Sequence, residues 1–154
     1  GDDGFIYYAY SESFSKITVK KINDSGDIQW SILAVDNFAD NAIKAIHTYP
    51  GSGCIIIYES ILFPESSNIY ALAIDGNGQT LSGWPILLSD LSGDQFFESS
   101  TRTEFGVLIS YRDNSAGNYD VYAQLLVLNG DLFYGDSGKE IAGFIVVVTV
   151  FDLG

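Results

Sequence analysis

Three stretches of this 154-residue chain repeat one another without a gap: Lys16 to Gly26, Asn68 to Gly78 and Asp120 to Gly130. Ile17, Ile69 and Val121 stand 52 residues apart at each step, as do Ile22, Ile74 and Leu126, and Gly26, Gly78 and Gly130. A fixed period of this length, held by three separate anchors, points to a repeat architecture. Within each stretch apolar and polar residues alternate and then give way to Asp-Ser-Gly, Asp-Gly-Asn-Gly or Asn-Gly-Asp. That pattern predicts a strand running into a tight hairpin whose glycine supplies φ > 0. An aromatic follows each turn, Trp30, Trp84 or Tyr134, with Trp84 displaced by a small insertion at Leu81 to Gly83.

Further strands are predicted around each anchor. Phe5 to Glu12, Cys54 to Glu59 and Val107 to Arg112 precede the anchors, each introduced by a glycine. Short strands at Ile32 to Val35 and Trp84 to Ser89 follow the aromatic, and Ala42 to Tyr49 and Phe96 to Thr103 complete the units. The fold class expected is therefore all-β, with four antiparallel strands per repeat and repeats at about 4–52, 53–105 and 106–154. Four strands in a unit near 50 residues is the arithmetic of a β-propeller blade.

The pattern Ile/Val-Tyr-Ala followed by Asp/Asn, Gly and Trp, clearest at Ile69-Tyr70-Ala71 and Val121-Tyr122-Ala123, resembles the blade repeats of bacterial secreted and surface propellers. The first repeat departs from it, with Thr18-Val19 in place of Tyr-Ala. The resemblance implies an extracellular or cell-surface location and a propeller architecture. It is nearly silent on activity, because such scaffolds serve as binding modules, adhesin segments and enzymes alike.

Counting from Gly130 puts Ile145 to Phe151 at the offset that Asn41 to His47 holds from Gly26. We therefore expect twelve strands in permuted order, each blade's second, third and fourth strands followed by the first strand of the next. Propellers typically have about four to eight blades, so three need completing. An unpaired Phe144 to Phe151 would also be an aggregation hazard. The expected partner is a second copy of the chain, giving a six-bladed homodimeric ring. The alternative is a segment of a longer chain with its remaining blades in cis.

Composition excludes more than it identifies. Seven Lys and Arg against twenty Asp and Glu leave a formal charge of −13, with no basic stripe, so nucleic acid is not an expected partner. The longest apolar run, Phe144 to Phe151, is far short of a membrane span, and no membrane insertion is expected. The opening Gly-Asp-Asp and the absence of Met are read as the mark of a trimmed leader. The single Cys54, beside three isoleucines, is expected to be a buried small hydrophobe.

Several chemical leads weaken against the repeat. Gly135-Asp-Ser-Gly138 resembles a serine-protease nucleophile signature, with His47 upstream, but it falls in the slot of Ser31 to Ala34 and reads as a turn. His47 alternates with Ala45 and Tyr49 and is expected to be a satisfied interior or pore-lining histidine. No cofactor is expected; the acidic turns Asp24 to Asp27 and Asp75 to Gly78 offer calcium-type oxygen ligands but lack the alternating carboxylates of a loop site. The loops 38–41, 61–67, 90–95 and 114–119 should share one rim. They carry Phe38, Phe63 and Tyr119 beside Asp40, Glu65 and Asp94, and this set is the predicted ligand site. Aromatic plates beside hydrogen-bonding acids suit a glycan or a peptide. The function expected is binding or structural rather than enzymatic, the alternative being a glycoside-processing enzyme that uses rim carboxylates.

Overall fold

The structure, a computed structural model, describes residues 4–49, 53–62 and 66–142. Among them the chain is all β, with no helix and therefore none long and apolar enough to cross a membrane. The first sheet comprises β1 (Ile6–Ser13), β2 (Lys16–Ile22) and β3 (Ile28–Asp36). The second comprises β4 (Asp40–Thr48), β5 (Gly53–Ile61), β6 (Ser67–Asp75) and the two-residue β7 (Ile86–Leu87). The third comprises β8 (Gln95–Arg102), β9 (Gly106–Asp113), β10 (Asp120–Val127) and β11 (Lys139–Ala142). Every sheet is an antiparallel meander in chain order. The expected strand at Ile145 to Phe151 lies outside the described residues.

The hairpin turns after β2, β6 and β10 are built alike. Gly26, Gly78 and Gly130 all have φ between 83° and 98°. Their amides donate to the carbonyls of Asn23, Asp75 and Val127, whose own amides donate to Asp27, Gln79 and Asp131. Glycine occupies this position because a side chain resists the left-handed region. The acidic and amide side chains of the turns cap them: Asn23 Oδ1 accepts from the amides of Ser25 and Asp27, and Asp75 Oδ1 from those of Asn77 and Gln79.

Strand alternation gives each sheet two distinct faces. We call "front" the face of Ile6, Tyr8 and Tyr10 in the first sheet, of Cys54, Ile56 and Tyr58 in the second, and of Val107, Ile109 and Tyr111 in the third. The front of the second sheet, with Leu72 and Ile74, packs on the back of the first through Tyr7, Ile17 and Val19. The front of the third, with Leu126, packs on the back of the second through Ile55, Ile57, Ile69, Ala71 and Ala73. These residues are almost wholly buried, and each large side chain contributes about 1.5–3 kcal/mol relative to exposure.

The same joints carry specific contacts. Trp30 lies against the Gly78 turn and donates from Nε1 to the Gly76 carbonyl at 2.9 Å. A Cβ on Gly78 would sit 3.1 Å from that indole. Trp84, with Ile86, lies in the same way against Gly130. Glu59, on the back of the second sheet, accepts from the Phe97 amide of the third at 2.6 Å and pairs with Lys44 at 2.7 Å.

Candidate functional site

The loops after β1, β3, β5, β7 and β9 lie at alternate turns of the meanders, and hydrogen bonds tie several of them together. Asn41 is buried and donates to the carbonyls of Ser15 and Ala39, while the Asn41 amide donates to Phe14. Gln95 is buried likewise and donates to the carbonyls of Ser89 and Leu91. These amides hold the β3–β4 and β7–β8 connections in fixed shapes, because an unpaired buried amide would cost about 1–3 kcal/mol.

Held out from the first of these connections, Phe38 is fully exposed. It forms the lip of a cleft of about 440 Å³ lined by Asn37, Phe38, Ala39, Tyr58, Ser60, Leu62, Asn68, Tyr70 and Pro85. Tyr58 and Tyr70 are cross-strand partners on β5 and β6, with rings stacked 5.6 Å apart at 20°. Burial, and then the neighbouring Tyr70, push the Tyr58 phenol up to about 12, so it stays a neutral hydrogen-bonding group. Among the described residues the lining contains no Lys, Arg, His, Asp or Glu. These residues supply aromatic rings, amides and hydroxyls beside the apolar Ala39, Leu62 and Pro85.

The other predicted site residues are distributed differently. Asp40 is exposed at the start of β4, next to the cleft in sequence but not in its lining. Asp94 is a tie between loops: Oδ1 accepts from the Ser67 amide, Oδ2 from Asn114 Nδ2, and its amide donates to Asn114 Oδ1. Tyr119 packs edge-on against Phe96 at 5.8 Å, with the Arg112 guanidinium 5.4 Å from its ring and ion-paired to Glu98. Phe63 and Glu65 lie outside the described residues. Of the described members of the predicted set, Phe38 alone lines the cleft, whose other described aromatics, Tyr58 and Tyr70, were hidden in strand patterns that read as core.

The chemical leads resolve locally. His47 Nε2 lies 2.7 Å from Ser100 Oγ, and burial, followed by the Arg102 charge, lowers its pKa. Ser137 of the Gly-Asp-Ser-Gly turn instead donates to Asp90 Oδ1 at 2.7 Å. Cys54 is fully buried, and burial pushes its thiol up to about 12. Among the described residues no three His, Cys, Asp or Glu converge in a way that could hold a metal ion. Compared with protein-family models, curated proteins and solved structures, the chain matches none of them.

Proposed function

We propose that the chain is a non-enzymatic binding module of β-propeller type, extracellular or cell-surface, which holds a neutral glycan in the Phe38 cleft. The observation that carries this reading is the described lining: an exposed aromatic lip and a tyrosine stack, with amide and hydroxyl groups and, among the described residues, no carboxylate or amine. Apolar sugar faces stack on aromatic rings, and neutral hydroxyls pair with amides without stranding a charge. Hydrolysis would need two carboxylates across the bond, and the described residues of the lining offer none.

In this reading the three sheets are blades, and a second chain brings the ring to six. Among the described strands β1 pairs with β2 alone, whereas its counterparts β5 and β9 pair on both sides, which supports the idea. The strand expected to fill that slot is the Phe144 to Phe151 segment of the partner.

Calorimetric titration with neutral oligosaccharides tests the binding reading. Phe38→Ala should weaken binding by roughly tenfold or more without moving the melting temperature. Release of new reducing ends from the bound sugar, or binding unchanged in Phe38→Ala, would refute it.

A further inference from the structure

The described structure contains one kind of sheet-to-sheet joint, made twice, and leaves one half of it open at each end. Cys54, Ile56 and Tyr58 on the front of the second sheet are at most 2% exposed, as are Val107, Ile109 and Tyr111 on the front of the third. Among the described residues their counterparts on the first sheet have no neighbouring sheet of this kind: Ile6 is 58% exposed and Tyr8 53%. Ile28 and Leu33 continue that open front face onto β3, opposite Ile22 and Thr18. At the other end, Leu108, Ser110, Val121 and Leu125 occupy the back of the third sheet and are only partly buried. Ile17 and Ile69, in register with Val121, and Ala73, in register with Leu125, are at most 1% exposed in joints, while Ala123 between the two is 9% exposed.

The turn contacts are open in the same sense. Trp30 covers the Gly78 turn and Trp84 the Gly130 turn, but a Cβ at Gly26 would meet nothing within 4 Å. The third aromatic of the series, Tyr134, is exposed beside an exposed Phe133. Charge is not what joins the two faces: Lys16 and Lys20 lie on the front of the first sheet, and Arg112 and Lys139 on the back of the third, with Arg112 ion-paired to Glu98.

We propose that the front face of the first sheet docks on the back face of the third sheet of a second copy, repeating the internal joint, and that two such joints close a two-fold pair. Ile6, Tyr8, Ile28 and Leu33 of one copy then cover Leu108, Val121 and Leu125 of the other, and Tyr134 covers the Gly26 turn. The contact is front to back, so each pair holds two equivalent joints. Contiguous apolar faces of this extent are rare on monomers, which favours occupancy. The inference deepens the propeller reading by assigning the joining faces, and it is independent of sugar binding.

Light scattering coupled to size exclusion should give twice the 16.8 kDa chain mass. Tyr8→Glu on the front and Ser110→Glu on the back should each shift the protein to monomer, with dissociation constants raised roughly thirtyfold or more and circular dichroism unchanged. Leu125→Glu serves as a second back-face variant. Mixing the Tyr8→Glu and Ser110→Glu proteins should restore a pair, because one joint of the mixed pair carries neither substitution. A monomeric wild type, an open-ended series of larger species, or a pair disrupted from one face only would overturn the proposal. Oligosaccharide titration of the monomeric variants separates the two readings, since the cleft lies within one chain.

Discussion

Glu59 is an acid among isoleucines, and its environment explains why it is tolerated there. Its side chain is nearly buried, one oxygen receiving the Phe97 amide and the other the Lys44 ammonium, so the charge is both paired and hydrogen-bonded. Because Phe97 belongs to the next sheet, the carboxylate couples the second sheet to the third. Removing it leaves a backbone amide without its acceptor at the joint, and Glu59→Ala should cost about 2–3 kcal/mol in urea unfolding. Glu59→Gln retains an oxygen for the Phe97 amide and should cost about half as much. Equal losses for both variants would show that the ion pair, rather than the amide contact, sustains the joint.

At the scale of elements, the hairpins were the most legible part of the sequence, because Gly26, Gly78 and Gly130 act through local backbone geometry. Other features needed tertiary information. The strand expected at Trp84 to Ser89 contracts to Ile86–Leu87, and Pro85, lacking an N–H, cannot donate to a ladder. The strand expected at Ile32 to Val35 extends instead to Ile28–Asp36. Phe38 was legible as an apolar residue stranded in a loop, but Tyr58 and Tyr70 alternate like core residues, and only the packing shows that they line a cleft. Asp94 had the composition of a ligand-binding acid, yet its oxygens hold neighbouring loops. The aromatics after the hairpins were visible as a series, while their seats on the next turn were not. That seat can be weighed at Trp30: Trp30→Phe keeps a ring against Gly78 but loses the bond to the Gly76 carbonyl, and should cost about 1 kcal/mol. Trp30→Ala should cost about 3–5 kcal/mol by emptying the joint. Both are measurable by denaturant unfolding, and a Trp30→Ala protein as stable as Trp30→Phe would refute the packing role.

For the whole molecule, the formal charge of −13 opposes the assembly that the open faces favour. Two chains brought together repel over their full extent, whereas the charged groups of the docking faces, Lys16 and Lys20 on one and Arg112 and Lys139 on the other, act only at contact distance. Salt separates the two ranges. Between 0.01 M and 0.15 M ionic strength the Debye length contracts from about 30 Å to about 8 Å, which removes most of the repulsion between whole chains and less of that between touching groups. The apolar part of the joint is not weakened by this change, because its driving force is removal of Ile6, Tyr8, Ile28 and Leu33 from water. Raising the salt across this range should therefore strengthen pairing, by roughly tenfold in dissociation constant, as read by analytical ultracentrifugation. Weaker pairing with added salt would mean that attraction between charged groups dominates the joint, and would move its centre from the apolar faces to the rim around them.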